Sequence, residues 1–362
     1  MKTPKHIIRG RGAQSNPTNR FEKKSVEHFL EDLPTDEERE DLLYPHPKTV
    51  FKEVFPKTIF NKVTSPDLPF SYSANPYQGC EHGCVYCYAR NTHEYWGYSA
   101  GKDFEQIILV KKSAPELVRQ TLQKKNWKPE LVTFSGNTDC YQPIERKLEL
   151  TRNCLKVFAE FKHPVAIITK NAMVERDTDI LSELAKQNLT TVILSLNTLD
   201  DEVKGKLEPR TSSVRNVLRT IRSLTDAGIP VQVLAAPIIP SLNDNNIIDL
   251  VKSVADEGAI NITYEVVRLN GQIGPIFEDW AELHYPDRKN KIMHHIQDLH
   301  GGKVNDSRFG IRMKGEGIWA DLIQQQFKVA KQKYLPKPKT INLDFSLFNP
   351  KTDQQLNLFN IG

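Results

Sequence analysis

The chain has 362 residues, of which 39% are hydrophobic and 26% charged, and its formal net charge is +4. This length suits one large α/β domain with extensions or two ordinary domains. No apolar run approaches the ~20 residues that cross a bilayer, and residues 1–20 lack the apolar core of a secretory signal. The composition therefore excludes a membrane-spanning protein and predicts a cytoplasmic one without membrane partners, whose cysteines are thiols.

Charge is unevenly distributed at the start of the chain. Residues 1–20 contain no acid and five basic residues, which are Lys2, Lys5, Arg9, Arg11 and Arg20. Residues 31–40 form an acidic block instead. We expect residues 1–65 to be an N-terminal extension, partly basic and flexible, with nucleic-acid contact as the alternative role of the basic arm.

From Phe70 onward, short β-branched runs alternate with helical stretches. The predicted strands are Phe70–Asn75, Gln106–Lys111, Leu131–Ser135, Val165–Thr169, Thr191–Leu196, Val231–Ala235 and Ile262–Val267. The predicted helices are Ala114–Lys124, Glu149–Phe161, Asp177–Gln187, Ser213–Ala227 and Asn246–Glu257. About six βα repeats in a row predict an α/β fold with a partial (β/α)6 TIM-like barrel, with a doubly wound sheet as the alternative.

The repeats also suggest a domain organisation. We expect a core barrel over residues 66–300, a helical segment over 301–334 and a tail over 335–362. In either α/β architecture, reactive groups collect on the loops at the carboxyl ends of the strands. The motifs below follow predicted strands and should therefore lie at that end.

Three cysteines, Cys80, Cys84 and Cys87, are separated by three and then two residues. Three thiolates on one loop can bind three corners of an iron–sulfur cube and leave the fourth iron open to a small molecule. The alternative is a structural zinc ion, for which His82 or His93 would supply the fourth ligand.

The stretch from Asn75 to Arg90, which follows a predicted strand and places Tyr86 just before the third cysteine, resembles the radical S-adenosylmethionine (SAM) superfamily. The resemblance implies that Cys80, Cys84 and Cys87 hold a [4Fe-4S] cluster whose open iron is chelated by the amino and carboxylate groups of SAM. It implies reductive cleavage of SAM to a 5′-deoxyadenosyl radical, with an electron donor such as flavodoxin or ferredoxin. The cofactors, rather than the protein, carry the difficult step.

The same resemblance assigns further cofactor contacts to successive strand ends. The turn after the third predicted strand, Ser135–Asp139, is where the superfamily receives the ammonium group of SAM. It departs from the common Gly-Gly-Glu form, so Asp139 or Thr138 would take that role. The predicted cofactor contacts of this turn and of the cysteine loop are Tyr86, Gly136, Asn137, Thr138 and Asp139.

Later strand ends supply the remaining candidates. Lys170 is a cation for the methionyl carboxylate, and Ser195 or Asn197 suits the ribose hydroxyls. Glu208 and Arg210 are also predicted to contact the cofactor, Arg210 through a bidentate pair with a carboxylate. A surface ion pair between Glu208 and Arg210 is the alternative. Residues 236–244 follow the next strand, where the superfamily contacts adenine.

The combined segments are similar to spore photoproduct lyase and to a related, largely uncharacterised bacterial family, over roughly Phe70 to Arg268. This resemblance implies a lyase-like radical enzyme acting on nucleic acid, with DNA lesion repair as the leading class. Radical SAM modification of tRNA or of a small metabolite is one alternative. A non-enzymatic, metal-binding accessory protein of the replisome is another.

Two neighbouring residues are candidates for catalysis. A radical enzyme that returns hydrogen to its product needs a donor, and the thiol of Cys140 and the phenol of Tyr141 are chemically suited to that role. The alternative for Cys140 is that of a small buried hydrophobe, which also fits Cys154.

The end of the chain carries a separate motif. Gln355, Leu356, Leu358 and Phe359 resemble the peptide by which bacterial polymerases and repair proteins bind the replication sliding clamp. The alternative is a tail folded back onto the barrel through Phe345, Phe348 and Phe359. Clamp binding would connect the enzyme with DNA.

Overall fold

Ten short strands and a series of helices alternate in the computed structural model, which describes residues 8, 10–21, 48–337 and 341–350. The strands are β1 (Val50–Glu53), β2 (Phe60–Lys62), β3 (Tyr72–Ala74), β4 (Tyr77–Gln78), β5 (Ile107–Val110), β6 (Val132–Phe134), β7 (Val165–Thr169), β8 (Thr190–Ser195), β9 (Val231–Ile238) and β10 (Asn261–Val266). The α-helices are Lys102–Gln106, Ala114–Leu122, Glu145–Leu148, Leu150–Glu160, Thr178–Lys186, Asp201–Leu207, Val214–Asp226, Ile247–Asp256, Ile273–His284, Lys289–Asp298 and Ile318–Tyr334. Shorter 3₁₀ segments cover Tyr88–Trp96, Ala172–Asp177 and Asp244–Asn246.

The main sheet has seven strands in the order β10-β9-β8-β7-β6-β3-β2. In this sheet, the five pairs of neighbouring strands between β10 and β3 are all parallel. Strand β2 pairs with β3 in the antiparallel direction. Six parallel strands with intervening helices are the curved sheet of a partial (β/α)6 barrel. The predicted fold class is therefore confirmed.

One predicted strand lies in a different sheet from its neighbours. The run predicted over Gln106–Lys111 is β5, which pairs with β1 and β4 in a separate three-stranded sheet. The partner β1 comes from the N-terminal extension, where no strand was predicted. Because β5 has its own partners, it is not one of the barrel strands.

The helix Val214–Asp226 illustrates how the outer layer is formed. Ser213 caps it by accepting a hydrogen bond from Asn216 N, and Gly228 follows its end with φ +78°. Its buried residues recur at helical spacing and are Val214, Val217, Thr220, Ile221 and Leu224. All of them except Thr220 join the core cluster that includes the inner residues of β6 to β10.

The segment from residue 304 to 316, here called the bridging segment, joins the two edges of the main sheet. On one side, Val266 N donates to Met313 O at 3.0 Å, which gives one backbone N–H group of the edge strand β10 a hydrogen-bond partner. On the other side, Asp67, in the loop before β3, accepts from Gly310 N at 2.8 Å and from Arg312 Nε at 2.6 Å. The bridging segment therefore spans the gap between the last and first strands of the barrel.

Residues 341–350 pack at the opposite end of the barrel from the carboxyl ends of the strands. The ring of Phe348 meets that of His163 at 5.2 Å, just before β7, and Asp344 N donates to Asn188 O at 2.9 Å, just before β8. The contact predicted for Phe348 is thus present, whereas the clamp-like residues from Gln355 to Phe359 lie outside the described residues. Among the described helices, none is both long and apolar enough to span a membrane.

Candidate cluster and cofactor site

The cysteine loop starts directly after β4 and ends where the 3₁₀ segment Tyr88–Trp96 begins. Cys80 and Cys84 are buried, Cys87 is half-buried, and all three are free thiols. Gly79 has φ +80°, and a Cβ there would lie 2.7 Å from Ile107 O. Glycine is therefore required for the loop to turn so tightly before Cys80.

Two histidines near the cysteine loop, His82 and His93, are the residues considered above as a fourth ligand of a zinc ion. In the described ranges, no three His, Cys, Asp or Glu side chains are grouped as one metal ion requires. His82 is held by Asp139 and by Asn171, with Nδ1 3.4 Å from Asp139 Oδ2. His93 is buried beside Phe104, and this burial lowers its pKa to about 4. His82 thus contacts polar groups beside the loop, whereas His93 packs against an aromatic ring and its ring nitrogens have no hydrogen-bond partner among the described residues.

Two buried polar atoms in the predicted cofactor positions have no hydrogen-bond partner within the part of the chain that the structure describes. They are the Thr138 hydroxyl oxygen and the Asn197 amide oxygen Oδ1. An unsatisfied buried polar atom costs roughly 1–3 kcal/mol, so it is expected to meet a ligand or water. The Asn197 oxygen can only accept a hydrogen bond and the Thr138 hydroxyl can donate or accept one, so the two atoms suit a polar cofactor beside the cysteine loop.

A buried ion pair supports the loop from behind. Arg90 Nη2 lies 2.5 Å from Glu105 Oε1, and both side chains are fully buried. Arg90 also donates to Cys84 O through Nε at 2.9 Å and Nη2 at 2.8 Å. Glu105 accepts from Ala13 N at 2.8 Å and from Gly12 N at 3.2 Å. The pair therefore links the backbone of a cluster cysteine to the N-terminal segment.

The N-terminal segment comes extremely close to the loop. A Cβ at Gly12 would lie 1.9 Å from Gly83 O, so only glycine fits there. Farther along, Ser15 donates to Asp279 at 3.2 Å, and Asn19 donates to Glu94 O at 3.0 Å. The expectation of a flexible extension does not hold for residues 10–21, because glycine and backbone contacts fix them against the cluster loop.

The turn after β6 differs in detail from its predicted role. The Asp139 carboxylate accepts from Thr169 Oγ1 at 2.7 Å, from Lys170 N at 2.8 Å and from Tyr141 N at 2.9 Å. Burial alone would raise its pKa, but His82 and these donors lower it below the usual value. Because a carboxylate has about four acceptor positions, Asp139 has little capacity left for an ammonium group. It fastens the turn to the end of β7 instead.

The other residues of the turn remain available. Thr138 is buried with a free hydroxyl, and Gly136 and Asn137 are half-buried. The Tyr88 hydroxyl, one residue past Cys87, donates to Gly136 O. The turn therefore lies next to the cysteine loop.

Lys170, the first residue after β7, has an ammonium group without a hydrogen-bond partner in the described structure. Burial alone would lower its pKa, but the negative groups around it, Glu208 first, hold the pKa above its usual value. Cys84 and Asp139 are also among these groups. Lys170 is thus a cation near the cysteine loop whose hydrogen bonds are unused.

Glu208 belongs to a buried network below the loop. It accepts from the Tyr86 hydroxyl, from Lys204 Nζ at 2.5 Å and from Asn197 Nδ2 at 3.3 Å. Burial alone would raise its pKa, but Lys204 and Lys170 lower it. Ser195, at the end of β8, is buried as well. The network orients Asn197 and Tyr86 rather than presenting a free carboxylate.

Arg210 and Glu208 do not pair with each other. Arg210 Nη2 lies 3.3 Å from Glu81 Oε1 in the cysteine loop, and Arg210 N donates to His82 O at 3.2 Å. The alternative of a surface pair between Glu208 and Arg210 is therefore wrong. Arg210 braces the loop, and its guanidinium is about one third exposed.

The two predicted catalytic residues lie in the hydrophobic core. Cys140 and Tyr141 are fully buried, and the Tyr141 hydroxyl donates to Asp177 Oδ2 at 2.9 Å. Burial raises the pKa of the Cys140 thiol well above its usual value. A hydrogen-donor role for the two residues stays a prediction that their burial does not favour. Cys154 is also in this core, as the alternative anticipated.

Sequence reasoning missed Arg90 and Glu105 as parts of the site, whereas Asn243 lies in the segment 236–244 that was expected to contact adenine. Asn243 donates to Asn197 O at 2.9 Å and to Pro237 O at 3.0 Å, so it holds two strand ends together. Arg90 was noted only as the end of the cysteine motif. For Glu105 no sequence signal existed, because its partners Gly12 and Ala13 are about ninety residues away.

Comparisons with known proteins identify the family. The profile of the Radical SAM superfamily matches residues 74–254, which is half of the chain. An uncharacterized protein of Mycobacterium tuberculosis is 33% identical over 240 residues, covering 66% of this chain and 71% of that protein. A radical SAM Nalpha-GlyT isomerase of Pseudomonas phage M6 is 27% identical, covering 46% of this chain and 33% of the isomerase.

A solved structure shares the fold. Spore photoproduct lyase complexed with dinucleoside spore photoproduct superposes with a TM-score of 0.56 at 18% identity, covering 79% of this chain and 80% of the lyase. Another structure of that lyase contains bound S-adenosylmethionine. The superfamily uses a [4Fe-4S] cluster together with SAM. The chain belongs to the radical SAM superfamily and is an enzyme of that superfamily, related in fold to spore photoproduct lyase.

Proposed function

We propose that Cys80, Cys84 and Cys87 hold the [4Fe-4S] cluster of this radical SAM enzyme. When bound, the reduced cluster and SAM together supply a radical that abstracts hydrogen from a substrate. The protein's contribution is to hold the loop through Arg90 and Glu105. A cytoplasmic location is proposed with it, since the five cysteines are free thiols.

SAM would lie against the carboxyl ends of β6 to β8. Its ammonium group would meet the turn at Gly136, Asn137 and Thr138, where the free Thr138 hydroxyl offers an acceptor. Its carboxylate would take the unused hydrogen bonds of Lys170. Its ribose would meet Ser195 and the free amide oxygen of Asn197. These assignments use the unsatisfied polar groups that the buried site contains.

We expect Lys170→Met to weaken SAM binding by about tenfold or more, since a charge-assisted hydrogen bond contributes roughly 1.5–3 kcal/mol. Equilibrium dialysis with anaerobically reconstituted protein would measure the change. Iron content should be unaltered. The matched control Lys186→Met removes an exposed lysine paired with Glu183 and should bind SAM normally. Equal SAM affinity of both variants would contradict the assigned carboxylate contact.

We propose further that the substrate is nucleic acid, with lesion reversal in DNA as the reaction class. The carrying observation is the fold shared over four fifths of each chain with a lyase whose structure holds a dinucleoside. Arg268, a cation without a hydrogen-bonded partner in the described residues, lies just beyond the carboxyl end of the last barrel strand and also suits a polyanion. An electron donor such as flavodoxin or ferredoxin would reduce the cluster. The sliding-clamp peptide, Gln355 to Phe359, stays a prediction that agrees with a DNA substrate.

The test is to supply reduced enzyme and SAM with ultraviolet-irradiated DNA, undamaged DNA or bulk tRNA. We expect irradiated DNA to accelerate 5′-deoxyadenosine formation or SAM turnover, and mass spectrometry to show loss of a photoproduct. Acceleration by tRNA alone would replace DNA repair with RNA modification. No response to any nucleic acid would contradict the substrate class and favour a small metabolite.

A further inference from the structure

Arg268 lies two residues beyond β10, at the same end of the parallel sheet as Lys170. Its side chain is half-buried, and within the described ranges its guanidinium makes no hydrogen bond or ion pair closer than 4 Å. Burying an arginine is costly unless hydrogen bonds and a counter-charge compensate. A half-buried guanidinium without a partner at a binding face is therefore expected to bind an anionic group of a ligand.

Other arginines at this end have their own partners. Arg312 is paired with Asp67 at 2.6 Å, Arg308 with Asp306 at 2.5 Å, and Arg210 with Glu81 at 3.3 Å. Arg268 differs from them because neither of its acidic neighbours, Glu265 and Asp67, is in contact with it. Of these four arginines, Arg268 is therefore the one whose hydrogen-bond donors are unused within the described residues.

Arg268 lies close enough to the cysteine loop to interact electrostatically with a residue that borders the loop. It interacts with Tyr88, one residue past Cys87, and with Glu265 on β10. Glu265 in turn interacts with Lys170, Lys314 and Arg312 as well as Arg268. Glu265 thus faces several cations at once, whereas Lys170 also has Glu208 and Asp139 around it.

We propose that Arg268 is a substrate-binding residue that takes a phosphate of the nucleic-acid substrate. The SAM carboxylate is assigned to Lys170, so the guanidinium of Arg268 still lacks a hydrogen-bonded acceptor among the described residues. A guanidinium presents a planar fork that binds two phosphate oxygens at once. Because it follows the last barrel strand, Arg268 would hold the substrate on the side next to the bridging segment. The inference rests on the proposed nucleic-acid substrate and deepens it.

The test measures binding of a short, fluorescently labelled single-stranded DNA to the reconstituted holoenzyme with SAM, by anisotropy at several salt concentrations. We expect Arg268→Gln to weaken binding about tenfold or more and to reduce the salt slope by about one phosphate contact. Arg268→Lys, which keeps the charge but not the fork, should fall between. The matched control Arg215→Gln, on the exposed face of helix Val214–Asp226, should bind as the parent does.

Iron content, thermal stability and SAM affinity should be unchanged in Arg268→Gln, which separates its role from those of the loop and of Lys170. If the parent binds DNA and Arg268→Gln binds it equally well, the inference is overturned while the nucleic-acid substrate stands. If the parent binds no nucleic acid, the proposed function fails first. If the parent instead binds an acidic peptide through Arg268, the phosphate assignment is overturned.

Discussion

Cys80→Ala is expected to abolish the cluster, and with it all cleavage of SAM. Three thiolates are the minimum that hold a cube with one open iron, and Cys80 is one of three on this loop. Anaerobic reconstitution should give about four irons per parent chain and almost none per variant, and the same holds for Cys84→Ala and Cys87→Ala.

The chain provides matched controls for this loss. Cys140→Ala and Cys154→Ala remove buried thiols of the hydrophobic core and should keep the parent's iron content. Their cost should appear in thermal stability instead, since each leaves a small cavity. Loss of iron in these two variants but not in Cys80→Ala would refute the assigned ligands.

The second large effect concerns stability. Glu105→Gln should lower the free energy of unfolding by about 3–5 kcal/mol, because it leaves the fully buried Arg90 guanidinium without a counter-charge. Chemical denaturation of the apo protein, with the same measurement on Glu183→Gln, would test it. Glu183 pairs with Lys186 on an exposed helix face, so its loss should cost under about 1 kcal/mol.

A double variant distinguishes charge from shape at this site. Replacing Glu105 with Leu and Arg90 with Met removes both charges and should recover part of the lost stability. It would still lack the acceptor for Gly12 N and Ala13 N, and the donors to Cys84 O. We therefore expect the double variant to fold but to lose iron faster than the parent. A single variant as stable as Glu183→Gln would show that the ion pair is not needed.

Local patterns in the sequence predicted much of this molecule. The β-branched runs from Val165 to Val267 are parallel strands because each is short, apolar and followed by an amphipathic helix. Strand β5 has the same local pattern but lies in another sheet. This could not be predicted, because its partner β1 comes from a segment in which no strand was recognised. The residue pattern and the β-propensity of a segment predict that it is a strand, but they do not predict with which other strands it pairs.

The same limit explains the site residues. The spacing of Cys80, Cys84 and Cys87 is local, so the loop could be identified directly. Asp139 accepts a hydrogen bond from the end of β7, and Glu105 accepts one from the N-terminal segment. Each of these contacts joins residues that are 30 or more positions apart in the sequence. Cys140 was a candidate because it is close in sequence to the cofactor turn, but its side chain points into the core.

The most direct test of the account is electron paramagnetic resonance of the reduced, reconstituted protein before and after SAM is added. A cluster held by Cys80, Cys84 and Cys87 leaves one iron open, so the account predicts a [4Fe-4S] signal that SAM changes. The change should need about tenfold more SAM in Lys170→Met. Stoichiometric zinc without iron in protein purified under anaerobic conditions, or a cluster signal that SAM leaves unchanged, would contradict the account.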